Sequence, residues 1–292
     1  MSRLKDTGIK TIKLFTENKM TVYSGNATLF IITAAFPFIM LIISIVNMLP
    51  GYSPKDVTDI FFKILPDLDS LKELISAMVV NLKNQSGGLL ASAAALTTLW
   101  SASAGVAAIQ TGLNGLEDSQ TGKGVLNIIK RLLFTLLLIL LIPALLIFEV
   151  LGESIVGVIT GIMEKLGLDS IELRLSSILS VSTIIIVIAA FLVILCIYAY
   201  LPEKRHTLKS QIPGTLFCGI GWVIFTELFA FFIPRFYHAS SLYGSLAALF
   251  LALLWIRVII MILFIGGALN KALEAEKNKI TEVDHGIRFQ RT

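Results

Sequence analysis

The sequence predicts an all-α fold, a polytopic membrane bundle of six transmembrane helices with short amphipathic helices at its surface. Hydrophobic residues make up 55% of the 292 and charged residues 15%, whereas soluble proteins carry about 25% charged residues. The mean hydropathy is +0.84. Six apolar runs follow one another along the chain, and each is close to the roughly 20 residues that a helix needs to cross a bilayer. Helices are expected because lipid offers no partner to an unpaired backbone group.

The distribution of basic residues predicts the orientation of these helices. The chain has a net charge of +4 and a pI near 9.0. Six crossings place both termini on one side, and that side holds 16 Lys and Arg residues against 7 on the other. Cytoplasmic loops are enriched in Lys and Arg, so both termini, including the charged tail 271–292, are predicted to be cytoplasmic. Topology therefore accounts for the basic charge, and no nucleic-acid partner is expected.

The N-terminal segment, residues 1–27, is basic and precedes the transmembrane domain. Ile9, Ile12 and Phe15 recur at helical spacing among its lysines. Two interpretations are open. The segment is either an amphipathic helix that lies on the cytoplasmic leaflet or a solvated basic tail that sets the orientation of the first crossing.

The transmembrane domain covers residues 28–270 and begins with a helix over 28–49 that contains Pro37. Proline removes a backbone donor, so a kink is predicted there; whether it serves function or packing stays open. The segment 51–87 that follows is too polar to span. Its apolar residues recur every three to four positions on both sides of Pro66, which predicts two short amphipathic helices on the outer face of the membrane.

The next three runs differ in composition, and the differences predict where each helix lies. The second, 89–116, is crowded with small residues at four-residue spacing. Such spacing lets helix backbones approach closely, so this helix is expected inside the bundle. The third, 132–151, is almost pure Leu and Ile around a predicted kink at Pro143, and it is expected to face lipid. The fourth, 178–201, ends in tyrosines that suit the membrane interface.

The last two runs, 212–233 and 243–270, each carry one charge near mid-span, Glu227 and Arg257. A charge at that depth costs at least about 2.5 kcal/mol, so each side chain is expected to face protein or water. Their similar depth predicts that they interact if the two helices are adjacent. Three interpretations stay open: a pair that stabilises the bundle, a substrate or proton site, or two residues that each face a water-filled cavity.

Residue types suited to catalysis or metal binding are sparse. Cys196 and Cys218 fall inside apolar runs and are expected to be buried small hydrophobes rather than a disulfide or a metal site. The three histidines are dispersed over both predicted sides, and the sequence has no HExxH, P-loop or GxSxG motif. A nuclease needs clustered carboxylates for a metal, or a histidine acid and base. The chain is therefore predicted not to be an enzyme and to use no cofactor or metal.

Several short motifs occur together along the chain. The first span contains Ala-Ala-Phe-Pro, and a basic loop runs into Pro-Gly-Thr at the start of the fifth. The second span contains Leu-Trp-Ser-Ala-Ser and then Ile-Gln-Thr-Gly-Leu-Asn; the last begins Tyr-Gly-Ser-Leu and ends Gly-Gly-Ala-Leu-Asn. In this combination the chain resembles the YihY/BrkB family of bacterial inner-membrane proteins over nearly its whole length. The positions that match the family's motifs include Trp100, Ser101, Gln110, Asn114, Tyr243, Gly244, Gly267 and Asn270.

The resemblance implies six helices in the bacterial cytoplasmic membrane and no established activity. The family's old label, ribonuclease BN, looks like a misassignment. Two positions depart from the family pattern. Leu269 stands where the last span of the family usually has a glutamate, and Arg257 stands where an uncharged residue is expected.

The predicted function is transport, or a lipid- or envelope-related process, in contact with membrane lipids and with a small molecule or lipid as substrate. The mid-span charges, the prolines and the small-residue helix favour this prediction. The alternative is a structural or assembly protein that acts through partners bound to its external helices. The sequence identifies neither the substrate nor the oligomeric state.

Overall fold

The computed structural model describes residues 2–47, 88–117, 119, 124–141, 144, 181–237 and 244–289. These residues form helices joined by turns, without strands, which confirms the predicted all-α class in the described part of the chain. The helices are α1 (Ser2–Glu17), α2 (Met20–Asn47), α3 (Gly88–Leu116), α4 (125–141), α5 (Val181–Tyr200), α6 (Leu208–Tyr237) and α7 (Gly244–Phe289). The predicted external segment 51–87, Pro143 and Tyr243 lie outside the described residues.

Within the described residues, three stretches are long and apolar enough to cross a membrane: Met20–Leu41, Leu208–Phe232 and Leu249–Asn278. A shorter apolar helix covers Ile186–Tyr200. Many large hydrophobic side chains on these helices are exposed, as expected of surfaces that face lipid rather than water. α2 is helical on both sides of Pro37, and the kink there remains a prediction, as does the total of six crossings.

Four helices extend beyond their predicted bounds: α4 begins at residue 125 instead of 132, α6 covers Leu208–Tyr237 instead of 212–233, and α2 and α7 are also longer. α2 begins at Met20, earlier than the predicted start of the first span, and α7 continues to Phe289, well past the predicted end of the last span. The extension of α7 packs against α1, where the Thr7 hydroxyl donates to the Glu276 carboxylate over 2.8 Å. Short helices outside a membrane depend on such packing for stability. Much of the charged tail is thus the last part of α7.

α2 and α3 pack as an antiparallel pair, and glycines of α3 face α2. Gly105 lies beside Ile31, and Gly112 lies beside Tyr23 and Phe264. The small residues of α3 therefore let helices approach closely, as predicted. The first half of α3 is less buried, however: Thr98 is fully buried there, but Trp100 is 83% exposed.

Six helices meet at one end of the bundle, which we call the polar end. α2, α4 and α6 begin there, α3 and α5 end there, and α7 passes through it near Asn270. α6 and α7 pack closely and antiparallel, with Gly214 against the backbone of Gly266 and Gly221 against Ile262. The directions of these helices are those that six successive crossings require, and the basic residues predict that the polar end is cytoplasmic.

Candidate functional site at the polar end

Three amide side chains of the predicted motifs are buried at the polar end and connect different segments. Gln110 of α3 donates to the carbonyl of Leu201 over 2.8 Å. Asn114, one turn later, accepts from the backbone N–H of Glu203 over 2.8 Å. Both side chains are fully buried. An unpaired buried amide would cost about 1–3 kcal/mol, so these bonds hold the 201–207 loop against the end of α3.

Asn270 makes the equivalent connection between α7 and α6. Its Oδ1 accepts from the backbone N–H of Gly214 over 2.7 Å, and its Nδ2 donates to the side-chain oxygen of Gln211 over 2.8 Å. The absence of a side chain at Gly214 makes room for Asn270 and for the carbonyl of Gly266. Gly267 similarly faces Leu113 of α3. The structure thus brings Gln110, Asn114, Gly267 and Asn270 to one end of the bundle.

A second connection joins α5 to α7. The hydroxyl of Tyr198 donates to the carbonyl of Leu263 over 2.6 Å, and its ring is fully buried. Tyr198 is therefore not the interfacial side chain that its position at the end of the fourth span predicted. Tyr200, which is exposed, fits that prediction.

Five ionisable side chains form what we call the charge cluster: Glu117, Lys204, His206, Lys271 and Glu274. Glu117 lies just past the end of α3, Lys204 and His206 lie in the 201–207 loop, and the other two are on α7. The ammonium of Lys271 is 3.0 Å from a Glu117 oxygen, and that of Lys204 lies 3.6 Å from Glu117 and 3.4 Å from Glu274. The cluster therefore links three segments of the chain.

His206 lies between the two carboxylates of the cluster. Its Nε2 is 3.6 Å from Glu117 and its Nδ1 is 3.6 Å from Glu274. The side chains of His206 and Glu117 are only 6% and 9% exposed. Burial lowers the pKa of Lys204, but the nearby carboxylates of Glu117 and Glu274 outweigh this and raise it, so Lys204 carries a positive charge at neutral pH.

Glu117, His206 and Glu274 also have the side-chain types and spacing of metal ligands, because their donor atoms lie within 4.8 Å of one another. A cavity of about 20 Å³ next to them has room for one water-sized occupant. The ammonium groups of Lys204 and Lys271 already neutralise the two carboxylates at short distance, and they would repel a divalent cation. We therefore interpret the cluster as an ion-pair network.

α4 is attached to the same loop. The side-chain amide of Asn127 donates to both carboxylate oxygens of Glu203 over 2.7 and 2.8 Å, and the ammonium of Lys130 donates to the carbonyl of Pro202 over 2.9 Å. Burial lowers the pKa of Lys130, although the carboxylate of Glu203 partly opposes this shift. The 201–207 loop is thus held by α3 and α4 as well as by α7.

The predicted mid-span charges lie apart from this network. Gly221 packs beside Ile262, so Glu227 and Arg257 are at similar depth on antiparallel helices, as predicted. Both side chains are exposed, however, and neither forms an ion pair with any residue that the structure describes. Glu227 is nine residues after buried Cys218. At about 100° per residue, this places Glu227 on the opposite side of α6.

The remaining predicted positions lie elsewhere. Trp100 is on the exposed first half of α3, Ser101 beside it is half-buried, and Gly244 is the first residue of α7. Cys196 and Cys218 are free thiols; Cys218 is buried as predicted, whereas Cys196 is only half-buried. The charge cluster was missed by sequence reasoning, since its residues were counted as ordinary loop charges. The available signal was that Glu117, Lys271 and Glu274 each closely follow a hydrophobic run.

Comparison with known proteins identifies the family. The family model described as "Virulence factor BrkB" matches residues 11–287. The chain belongs to this family. The resemblance inferred from the motifs is therefore confirmed.

Curated relatives cover almost the whole chain. It is 27% identical over 256 residues to "Putative ribonuclease-like protein YfkH" of Bacillus subtilis (strain 168), which covers 87% of this chain and 90% of that protein. It is 25% identical over 282 residues to a UPF0761 membrane protein of Haemophilus influenzae (strain 86-028NP), covering 94% and 97%. A UPF0761 membrane protein of Aggregatibacter aphrophilus (strain NJ8700) is 24% identical over 282 residues, covering 92% and 93%. No solved structure matches the chain. The chain thus belongs to a family of membrane proteins.

Proposed function

We propose that this member of the family is a multi-pass transport protein of the bacterial cytoplasmic membrane, with cytoplasmic termini and a small molecule or lipid as substrate. In this proposal the polar end is its closed cytoplasmic gate. One observation supports it above the others. Among the described residues, buried side chains that hydrogen-bond between segments concentrate at the polar end, whereas the two mid-span charges are exposed.

A gate has to close tightly and still be able to open. Tyr198, Gln110 and Asn270 close the polar end through bonds of 2.6–2.8 Å to the backbone of another segment. Such hydrogen bonds each contribute only about 0.5–1.5 kcal/mol net, because water replaces them when they break. Rocking of helix groups that opens one end while the other stays closed is the usual mechanism of membrane transporters.

The charge cluster supplies the reversible part of this gate. The 201–207 loop contributes Lys204 and His206. Both contact the carboxylate of Glu117, just past the end of α3, and that of Glu274 on α7. Ion pairs of this kind lose little when both partners become solvated together. Because Lys204 is largely exposed, water can reach the cluster, and the loop can separate from Glu274 without leaving a charge in lipid.

The name of the Bacillus relative raises a nuclease as the rival function, and His206 between two carboxylates has residue types found in such enzymes. The geometry does not favour it. The adjoining cavity is about 20 Å³, whereas small-molecule sites occupy roughly 300–1,000 Å³. Both carboxylates are also in contact with lysine ammonium groups. We therefore do not propose nuclease activity for this chain.

The test uses the full chain in proteoliposomes and two probes. One is fluorescent phosphatidylglycerol, whose movement between leaflets is read by dithionite reduction, and the other is a trapped anionic dye. Glu117→Gln with Glu274→Gln should loosen the gate and increase movement of one probe severalfold. The control, Asp6→Asn with Glu17→Gln, removes the same charge from the exposed side of α1 and should change neither rate.

Two results would count against transport. One is an absence of probe movement in both the wild type and the loosened variant, although both are folded. The other is a stable partner protein that co-purifies with the chain and is lost from the loosened variant. The second result would favour the alternative role in structure or assembly.

A further inference from the structure

α1 presents three different sides to its surroundings. Its buried side carries Thr7 and Thr11 and packs toward α7, with the Thr7 hydroxyl on Glu276. At about 100° per residue, Ile9 and Ile12 lie on the opposite half of the helix. Each of these isoleucines is 67% exposed. The apolar pair is therefore directed away from the protein.

The two flanks of the exposed half differ in charge. Lys5 lies between Ile9 and Ile12 in angle around the helix. Asp6 and Glu17 lie on the other flank, and Lys13 there is paired with Glu17 at 3.7 Å. One flank therefore combines the isoleucines with a lysine that forms no ion pair with any described residue. The other flank has the mixed charges of a water-facing surface.

The position of α1 sets the depth of these side chains. The helix ends at Glu17, and the candidate membrane span begins at Met20. Lys19 occupies the turn between them with a φ of 53°, so α1 changes direction before α2 continues into the membrane. Val22, in the first turn of α2, is 64% exposed on the outside of the bundle. A membrane that α2 enters at Met20 would place α1 at the level where lipid headgroups begin.

We propose that α1 is an interfacial anchor that binds anionic phospholipid. Ile9 and Ile12 enter the boundary between headgroups and acyl chains, and Lys5 and Lys19 contact the phosphates. Helices with an apolar side, basic flanks and a polar outer side bind in this way, and binding is stronger on anionic lipid. Since α1 also packs on α7, the anchor connects the leaflet to the cytoplasmic extension of α7. This inference does not depend on transport activity.

The experiment uses the full chain in nanodiscs, with Cys196 and Cys218 replaced by Ala. An environment-sensitive fluorophore is attached at Ile12→Cys and, as the matched control, at Glu17→Cys, which is also exposed but on the water-facing flank. In phosphatidylglycerol discs we expect blue-shifted emission and severalfold stronger quenching by lipid-borne spin labels at position 12 than at position 17.

A pair of variants tests the charges. Lys5→Gln with Lys19→Gln should remove the difference in quenching between phosphatidylglycerol and phosphatidylcholine discs. Lys10→Gln with Lys13→Gln removes the same charge from the other flank and should preserve that difference. Equal quenching at positions 12 and 17, or equal effects of the two double variants, would overturn the proposal. Protection of position 12 from both water and lipid would instead identify a protein partner on this surface and would also overturn it.

Discussion

Helix α7 carries residues of the charge cluster at the polar end and also Arg257, one of the two mid-span charges. The surroundings of the cluster and of the mid-span charges differ. In the cluster, Glu117 lies within 3.0–3.6 Å of two ammonium groups and His206. In mid-span, Glu227 and Arg257 are exposed, and the described residues give neither an ion-pair partner. Loops at helix ends can bring charges from three segments to one place. A charged side chain in the middle of a helix can contact only the residues that its own side of the helix faces.

This difference separates two kinds of information. A single charge within an apolar run is visible in the sequence, because its cost in lipid is high. Its partner is not visible, since the partner depends on the rotation of the neighbouring helix. The charges of the cluster look ordinary in the sequence, and they acquire a role only because the polar end gathers them. The predictions that follow test the two regions against each other.

The largest effect is expected at Gly214, which supports the tight packing of the polar end. A Cβ there would collide with the carbonyl of Gly266 and lie 2.6 Å from Cγ of Asn270. Gly214→Val should therefore cost roughly 3 kcal/mol or more and deplete folded protein in size-exclusion profiles. Gly219→Ala is the control on the same helix, since nothing lies within 4 Å of its Cβ position. A well-folded Gly214→Val would mean that α6 and α7 are not in close contact.

The next effect concerns the buried amide of Asn270. Asn270→Ala leaves the side-chain oxygen of Gln211 and the backbone N–H of Gly214 without their Asn270 partner in a buried site, and we expect a loss of about 1–3 kcal/mol, measured as thermal unfolding in detergent. Asn278→Ala, two turns further along α7 at an exposed position, should have almost no effect. Equal melting temperatures for the two variants would contradict the interhelix bond.

A smaller effect is expected when one carboxylate of the charge cluster is neutralised. Glu117→Gln leaves Lys271 and Lys204 facing a neutral amide, and the cost should be about 1–2 kcal/mol. Glu17→Gln removes an exposed pair with Lys13 and should cost less than about 0.5 kcal/mol. If both substitutions lower the unfolding temperature equally, the cluster contributes no more than a surface ion pair.

The smallest effect is expected for the coupling between Glu227 and Arg257. Depth alone predicted a pair in which Glu227→Leu and Arg257→Leu each destabilise and the double substitution restores folding. The exposed side chains instead predict additivity, with a coupling energy below about 0.5 kcal/mol in a double-mutant cycle. A coupling well above that value would place the two side chains in contact in the membrane.

The class of the protein, its membrane character and its family could be predicted from the amino-acid sequence. These follow from composition, from apolar run length and from motifs, which are local properties of the chain. Gln110, Asn114 and Asn270 were identified as motif residues, but neither their burial nor their bonding partners were predicted. The bounds of α2 and α7 were too short, because contacts with α1 extend polar helix beyond the apolar run.

The location of the site, in contrast, follows from the packing of the helices. Glu117, His206 and Glu274 are separated by 89 and 68 positions in the sequence, and no local pattern links them. They meet because glycine contacts such as Gly214 on Gly266 set the spacing of the helices. The same packing set the rotation that leaves Glu227 exposed. Rotation and spacing depend on many small contacts between distant segments, and for that reason the chain order alone does not reveal them.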